Sequence, residues 1–328
     1  SIGIPKESNN QEKRISLTPD AVEVLVSNGH QITIETGAGD GANYTDQEYS
    51  EAGAEISYSS QSVFEKPIIL KVGTLTSDEK EWIKPNSFLV SSVPNNSLNK
   101  EYFTELSKKR ITAVGFEFIK DEQNQLPVLR LLSEIAGTTA VLVGSELMSS
   151  INGGNGILMG GVTGVRPTEV VILGAGTVAE NSARTAIGLG ASVRIFDNSL
   201  SRLRRLQQNI GHRIPTSTID PKELGKAIRR CDLAIGALRG DSRTPCVVTE
   251  SMVEKMKPGA VIVDVSIDQG GCFETSEMTT HDRPIIIKHE VIHYAVSNIT
   301  SRVSRTSSKA LSNYFLPYLL MIANEGGF

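Results

Sequence analysis

The segment 170–198, VVILGAGTVAENSARTAIGLGASVRIFDN, limits the possible folds of this chain more than any other part. An apolar run, a glycine turn, a helical pattern and a second apolar run follow one another in it. Gly174 permits a tight turn between strand and helix, and Gly176 lets the backbone come close to a pyrophosphate. The acidic Asp197 ends the second apolar run, 23 residues after Gly174. This order of elements predicts a parallel α/β domain that binds a dinucleotide.

The same segment indicates which dinucleotide is bound. The amides of Thr177 and Val178 open the helix and would meet the negative charge of the pyrophosphate. A carboxylate at Asp197 can hold a ribose 2′-hydroxyl and would repel a 2′-phosphate, which favours NAD. The nearby Arg202 leaves NADP as the alternative. We expect Arg202, and Leu238 at the end of the later apolar run LAIGAL, among the cofactor contacts.

The whole chain has the composition of a globular protein. Its 328 residues suggest about two domains, and its charged fraction of 21% is ordinary. The net charge of −4 gives no reason to expect nucleic acid as a partner, and no uninterrupted run of about 18 apolar residues predicts a membrane span. The three cysteines lack metal-binding spacing and cannot all pair, which favours a reducing, cytoplasmic location and no structural metal.

Strand and helix patterns alternate in two series. In the first series, LTPDAVEVLVSNGH is a helix pattern with Thr18 as N-cap and Pro19 as first helical residue. A long apolar helix is expected over 126–150, and a glycine-rich loop over 151–167 separates the two series. The second series starts with VVILG. The last helix should break near Pro317 and pack back on the first domain.

Several motifs together resemble one protein family. The run DVSIDQGGCFETSEMTTHDRP at 264–284 accompanies the dinucleotide fingerprint, the opening IGIPKES…EKRISLTPDAV, and the later VIHYAVSN and SRTSSKALSN. These stretches resemble the alanine dehydrogenase and transhydrogenase α-subunit family, and the alanine dehydrogenase branch most closely. The resemblance implies two Rossmann-like α/β domains, each a doubly wound parallel sheet, with a cleft between them. It also implies NAD as cofactor and a homo-oligomer, a hexamer or a dimer.

The resemblance further implies a division of labour and a reaction. Residues 1–133 and 303–328 would form the substrate domain, and residues 134–302 the NAD-binding Rossmann domain. The implied reaction is the NAD-dependent oxidative deamination of a small L-amino acid, alanine to pyruvate and ammonium, and the reverse reductive amination. The expected partners are therefore a small-molecule amino acid and its 2-oxo acid.

Individual residues match the family's functional positions. Arg14 matches the arginine that grips the substrate carboxylate, a task that suits the parallel donors of a guanidinium. Lys71 matches a lysine directed at the substrate carbonyl and carboxylate. Asp268 matches the active-site aspartate, suited to proton relay or to holding a water or ammonia. Ser133 matches a cofactor-contacting serine, and Asn298 an asparagine near the nicotinamide and substrate.

Each of these residues has a plainer interpretation when the family is set aside. Arg14 could be a surface arginine beside a strand, Lys71 a solvated strand end, and Asp268 a turn or cap residue. The two histidines His281 and His293, in a polar turn and a strand, are interpreted as structural, and so is Cys272. The family match favours the functional interpretation for the first three residues.

The chain departs from the family pattern in two places. Where the family has its second acid/base, a histidine, this chain reads NSFLVSSVPNNSLNKEYF, and the alignment places Asn95 there. Asparagine can orient a carbonyl but cannot exchange a proton near neutral pH. In VSNITSRVSRTS, Thr300, Ser301 and Ser304 replace the family's Pro, Gly and Pro. The alternatives are an NAD-binding relative with lost or altered activity, or a dehydrogenase of another amino acid.

Overall fold

The computed structural model describes residues 1–93, 100–240 and 243–324. The chain divides into two compact units: unit 1 is Ser1–Leu132 with Thr300–Phe328, and unit 2 is Ser133–Ile299.

Strands and helices alternate along both units. The strands are β1 Ile2–Ile4, β2 Ile32–Glu35, β3 Glu55–Ser57, β4 Ile68–Leu70, β5 Phe88–Ser91, β6 Thr112–Gly115, β7 Glu169–Leu173, β8 Ser192–Phe196, β9 Thr216–Ser217, β10 Leu233–Gly236, β11 Val261–Asp264, β12 Ile285–Lys288 and β13 Val291–Tyr294. The α-helices are α1 Pro19–Ser27, α2 Asp46–Glu51, α3 Ser60–Phe64, α4 Ser77–Trp82, α5 Lys100–Lys108, α6 Pro127–Leu147, α7 Thr177–Gly188, α8 Leu200–Ile210, α9 Pro221–Arg230, α10 Glu250–Val253 and α11 Ser304–Asn324.

Each unit is built on one sheet with the strand order of a Rossmann fold. In unit 1 the order is β3-β2-β1-β4-β5-β6, and all pairs are parallel. In unit 2 the order is β12-β13-β11-β10-β7-β8-β9, and only β12 is antiparallel to its neighbour. Successive strands are added toward one edge of the sheet up to a point and then toward the other edge. This switch lies between β1 and β4 in unit 1 and between β7 and β10 in unit 2. Such switch points are where open α/β sheets bind ligands. The predicted fold class is confirmed.

The antiparallel edge strand β12 is a feature that sequence analysis missed. It pairs with β13 in the register Lys288↔Val291, and only His289 and Glu290 connect the two strands. Both connecting residues have positive φ, 51° and 58°. That conformation is typical of a two-residue hairpin turn, whose usual signal is Asn-Gly or Asp-Gly. Because that signal is absent, the hairpin could not be recognised.

The expected separation of the two series by the loop 151–167 is wrong, since that loop lies within unit 2. The first border falls inside α6 instead, because the later part of that helix belongs to the unit 2 core through Ala136, Ala140 and Val143. By length and composition α6 is the one helix of the described residues that could cross a membrane, with a mean hydropathy of 1.3. This is weak evidence, since an apolar core helix passes the same test.

The predicted break of the last helix near Pro317 is wrong. α11 continues through this residue to its end. Proline removes one intrahelical hydrogen bond. However, Leu311, Phe315 and Leu319 on both sides of it are buried in the core of unit 1. The ring of Phe315 also lies 5.8 Å from that of Phe116. Burial of this apolar face at four-residue spacing holds the helix in one piece.

Candidate active site

At the switch point of unit 1, Lys71 follows β4 and forms two buried ion pairs. Its Nζ lies 2.7 Å from Oε2 of Glu7, which follows β1, and 3.2 Å from Oε1 of Glu79. The lysine side chain is only 1% exposed. Glu7 is itself held, since its Oε1 accepts a hydrogen bond of 2.7 Å from the amide of Val72. The interpretation of Lys71 as a solvated strand end is therefore wrong.

The two carboxylates determine the protonation of this cluster. Burial raises the pKa of Glu7 above its ordinary value, although the charge of Lys71 opposes the shift. Burial alone would lower the pKa of Lys71, but the charges of Glu7 and Glu79 outweigh it and raise that pKa. Lys71 therefore stays an ammonium near neutral pH. With one N–H directed at each carboxylate, its third N–H can donate to a ligand.

Arg14 is also buried, with 8% exposure, so it is not a surface arginine. Its Nε donates to Glu12 Oε1 at 2.8 Å and its Nη2 to Glu12 Oε2 at 2.7 Å. Its Nη1 donates to Thr300 Oγ1 at 3.0 Å. A guanidinium has five N–H groups, so two remain, one on each terminal nitrogen. Two such donors can hold one carboxylate.

The arginine and lysine clusters are neighbours in unit 1. The charge of Glu12 contributes to the raised pKa of Glu7. Ser16 Oγ, two residues after Arg14, donates to the carbonyl of Leu70, which precedes Lys71, at 3.3 Å. The acidic partners Glu7, Glu12 and Glu79 were not predicted from the sequence. Only Glu12 was within reach of a local pattern, since it lies two residues before Arg14. The burial that makes a carboxylate partner necessary is seen only in the structure.

At the switch point of unit 2, two glycines form the turn between β7 and α7. Gly174 has φ 116°, and a Cβ there would lie 2.4 Å from the carbonyl oxygen of Ala237. A Cβ on Gly176 would meet nothing within 4 Å. Thr177 and Val178 begin α7, so their amides have no acceptor within the helix. The open space at Gly176 and these amides fit a pyrophosphate.

Asp197 supports this turn from the end of β8. The residue is 5% exposed. Its Oδ2 accepts a 2.8 Å hydrogen bond from the amide of Ala175, and its Oδ1 accepts a 2.7 Å hydrogen bond from the amide of Ser199. Each carboxylate oxygen has a second lone pair, so a ribose hydroxyl can still donate to it. The sequence predicted the ligand contact of Asp197 but not these two hydrogen bonds to the backbone. Arg202 is exposed in the first turn of α8.

Two further predicted cofactor residues lie beside this turn. Leu238 follows β10, and its carbonyl accepts a 2.7 Å hydrogen bond from Ser266 Oγ. Ser133 lies on α6 one turn before Gly137, and residues at this spacing share a helix face. A Cβ on Gly137 would lie 2.3 Å from the carbonyl oxygen of Val178. The face that carries Ser133 therefore packs against the start of α7.

Asp268 lies in a short 3-10 helix, Ile267–Gln269, just past the carboxyl end of β11. The hydroxyl of Ser297 donates to its Oδ1. The next residue, Asn298, has φ 62°, and its carbonyl accepts a 3.2 Å hydrogen bond from His281 Nε2. Asp268 and Asn298 are thus brought close. Although Asp268 reaches solvent, partial desolvation by surrounding protein raises its pKa, against the effect of the Ser297 hydrogen bond.

A second aspartate, which sequence analysis missed, holds the turn that carries Asp268. Asp264 ends β11 and is 1% exposed. Its Oδ2 accepts a 2.8 Å hydrogen bond from the amide of Cys272, and its Oδ1 accepts a 3.1 Å hydrogen bond from the amide of Ser266. Burial raises the pKa of Asp264. These bonds close the turn from both ends and fix the position of Asp268 within it.

The residues interpreted as structural, His281, His293 and Cys272, have surroundings that fit a structural role. His293 is fully buried, its Nε2 lies 2.7 Å from Thr275 Oγ1, and burial lowers its pKa. Burial raises the pKa of the free thiol of Cys272 to about 12, so it is not a nucleophile near neutral pH. Within the described residues, no group of three histidine, cysteine or acidic side chains could hold a metal ion.

Asn95 lies outside the described residues. The backbone that leads to it is held by Glu117, which follows β6. Glu117 Oε1 accepts hydrogen bonds from Ser92 Oγ at 2.9 Å and from the amide of Val93 at 3.0 Å. The path of the chain after β5 is thereby set as far as Val93.

Comparisons with known proteins cover almost the whole chain. Family models of the alanine dehydrogenase/PNT N-terminal and C-terminal domains match residues 3–136 and 140–328. The alanine dehydrogenase of Bacillus subtilis (strain 168) is 42% identical over 99% of this chain and 86% of its own length. That of Methanococcus maripaludis is 43% identical over 99% of this chain and 88% of its own.

Solved structures agree with these matches. An L-alanine dehydrogenase has a TM-score of 0.93 and 39% identity, over 99% of this chain and 90% of that one. A transhydrogenase from Sinorhizobium meliloti shares the fold, with a TM-score of 0.85 at 24% identity, over 98% and 94% of the two chains. Because both family models and relatives above 40% identity match, the chain belongs to the alanine dehydrogenase/PNT family.

Proposed function

We propose that this chain is an NAD-dependent dehydrogenase that converts L-alanine to pyruvate and ammonium and catalyses the reverse reductive amination. One observation carries the proposal: Arg14 is buried in a geometry that leaves two N–H groups for a carboxylate. The dinucleotide turn at Gly174 and Gly176 supplies the second requirement, a site for the redox cofactor. The alanine dehydrogenases that the chain resembles support the choice of substrate pair.

NAD fits the residues of unit 2, and the family is NAD-dependent. The amides of Thr177 and Val178 would hold the pyrophosphate, and Asp197 a ribose hydroxyl, which disfavours NADP. Ser133, Arg202 and Leu238 complete the proposed cofactor contacts. When bound, the nicotinamide accepts a hydride from the amino acid or returns it to the oxidised substrate. Unit 2 is thus the proposed NAD-binding domain and unit 1 the proposed substrate domain.

Arg14 and Lys71 are the proposed anchors of the substrate carboxylate in unit 1. The two remaining N–H groups of Arg14 would bind both carboxylate oxygens. The ammonium of Lys71, kept charged by Glu7 and Glu79, would donate to the carbonyl oxygen and stabilise negative charge as it develops there. Asn298 is proposed to contact the substrate and the nicotinamide.

Asp268 is the proposed proton-transfer residue. Its raised pKa moves the carboxyl toward the range in which it can both accept and release a proton, and Ser297 orients it. It would hold the water or ammonia and take up its proton. Asn95, where the family has a histidine, would orient the carbonyl without transferring a proton. We therefore propose slow alanine turnover.

A second candidate function follows from that same replacement: a dehydrogenase for another amino acid, or an NAD-binding relative with altered activity. The absence of a histidine between residues 31 and 211 favours it. We further propose a homo-oligomer, a hexamer or a dimer, on the family resemblance. A cytoplasmic location is proposed because the three cysteines are free.

The test is NADH oxidation with ammonium and a panel of 2-oxo acids, for wild type, Arg14→Ala and the control Arg305→Ala. Arg305 stacks on Tyr44 in unit 1 and donates to the carbonyl of Ala42. Arg14→Ala should raise the KM for pyruvate by at least about 30-fold, because a carboxylate loses both its donors, and should leave NADH affinity nearly unchanged. Equal loss of NADH affinity would make Arg14 structural. Preference for another oxo acid, or no turnover with any, would select the second candidate.

A further inference from the structure

We propose that Thr300 is a positioning residue for Arg14. Its hydroxyl would set the orientation in which the guanidinium meets the substrate carboxylate, and Ser301 would hold the other end of the Glu12–Arg14 pair. The inference rests on the proposed function, since it takes Arg14 as the carboxylate ligand. In the family pattern Pro and Gly stand at these two positions, so this arrangement is a departure of this chain.

Thr300 and Ser301 are consecutive residues in a short 3-10 helix, Ile299–Val303. Thr300 Oγ1 accepts a 3.0 Å hydrogen bond from Arg14 Nη1. Ser301 Oγ accepts one of 2.7 Å from the amide of Lys13 and lies 3.4 Å from Glu12 Oε1, to which it donates. One hydroxyl thus contacts the arginine and the other contacts its carboxylate.

Burial makes these hydroxyls hard to replace. Arg14 and Glu12 are each 8% exposed, Thr300 is 6% exposed and Ser301 3%. A buried charged group whose hydrogen-bond partner is removed keeps its desolvation cost without a compensating contact. The loss of the Thr300 hydroxyl is therefore felt at Arg14 and is not simply repaired by bulk water.

The contact with Thr300 prevents a tilt of the Arg14 guanidinium that the two hydrogen bonds to Glu12 alone would permit. Glu12 binds Nε and Nη2, which lie on one edge of the planar guanidinium. Two contacts on one edge leave the plane free to tilt about that edge. Thr300 binds Nη1, which lies off the edge, and so fixes the plane. One N–H remains on each terminal nitrogen, and with the plane fixed this pair keeps a constant orientation for bidentate recognition.

The chain offers a matched control in the same segment. Ser304, the third position that departs from the family pattern, donates from its hydroxyl to the carbonyl of Gly41 at 2.6 Å. Replacing it removes a hydroxyl from the same stretch of chain without touching the Glu12–Arg14 pair.

Thr300→Val, Thr300→Ser and Ser304→Ala should be compared with wild type in NADH oxidation with pyruvate and ammonium. Thr300→Val keeps the shape and loses the hydroxyl. It should raise the KM for pyruvate about 10-fold, the usual effect of one hydrogen bond to a charged group. kcat and the KM for NADH should stay within about threefold, because uniform substrate binding is what is lost. Thr300→Ser and Ser304→Ala should behave as wild type.

Three results would overturn the inference: an unchanged pyruvate KM in Thr300→Val, no rescue by Thr300→Ser, or an equal rise in the KM for NADH. If Thr300→Val does not fold, Thr300→Ala takes its place under the same criteria. Failure of the proposed function would give a different result. The wild-type protein would then not turn over pyruvate, or Arg14→Ala would not raise the KM for pyruvate.

In that event, ¹⁵N spectra of arginine-labelled protein still decide the positioning role. Separate, slowly exchanging Nη signals of Arg14 in wild type, merged in Thr300→Val, would support it. The same spectrum in both proteins would refute it.

Discussion

An alanine at Gly176 should abolish tight NADH binding without unfolding unit 2. The Cβ would enter space in which no protein atom lies within 4 Å, so the folded protein tolerates it. Its cost to folding is the difference between alanine and glycine at an N-cap, about 1 kcal/mol or less. The same Cβ would stand where the pyrophosphate is proposed to approach the backbone.

The loss of affinity can be worked out from the contacts that the Cβ would displace. Hydrogen bonds from helix amides to a charged group are each worth roughly 1.5–3 kcal/mol. Displacing one or two of them, roughly 1.5–6 kcal/mol in all, weakens NADH binding by about 10- to 20,000-fold, at 1.4 kcal/mol for each factor of ten.

Gly174→Ala should show the opposite behaviour. Its Cβ would lie 2.4 Å from the carbonyl oxygen of Ala237, and its φ of 116° is unfavourable for alanine. Strain of this kind costs of the order of 1–3 kcal/mol before the clash is counted. This strain alone should lower the melting temperature by roughly 2–12 °C, and the clash should lower it further.

Isothermal titration calorimetry with NADH and thermal melting of three variants form the assay. The third variant is Gly188→Ala, at an open position on the other end of α7, which should change neither quantity by much. Wild-type NADH affinity in a folded Gly176→Ala protein would refute the proposed approach of the pyrophosphate. A Gly176→Ala protein as unstable as Gly174→Ala would show that the turn is packed more tightly than the structure indicates.

Three further predictions concern the cofactor and the proton-transfer groups. Calorimetry should show that the wild-type protein clearly prefers NADH over NADPH, and Asp197→Ala should reduce this preference. Equal affinities of the wild-type protein for the two cofactors would refute the proposed role of Asp197. Asp268→Asn should keep NADH binding and cut turnover by at least about 100-fold, the scale of a positioned proton-transfer group. Because the pKa of Asp268 is raised, the acid limb of wild-type kcat/KM should lie above the ordinary aspartate range and vanish in the variant. Asn95→His should raise alanine turnover by at most about tenfold, measured by steady-state kinetics across pH; a full return to fast turnover would contradict this.

Much of this protein could be predicted from local patterns. The order of strand, glycine turn, helix, strand and Asp197 predicts one Rossmann unit, because each element is set by residues close together in the chain. Positions such as Arg14, Lys71 and Asp268 were proposed because the motifs around them match a family. Such motifs are short and contiguous, so no tertiary information was needed to find them.

The partners of these residues depend on strand order. Glu7 meets Lys71 only because β1 and β4 are neighbours at the switch point, although the two residues lie 64 positions apart. Thr300 meets Arg14 across 286 positions. No local pattern encodes such distances.

Two elements were decided by competition between local preference and packing. The proline at position 317 disfavours a helix locally, yet α11 continues, because Leu311, Phe315 and Leu319 are buried together. The hairpin of β12 and β13 turns at His289 and Glu290, residues without the usual turn signal, because pairing at the sheet edge compensates for their strained backbone. The sequence by itself thus determined the elements and the candidate residues. The tertiary structure decided their distant partners and their protonation, because burial and neighbouring charge arise only when distant segments pack together.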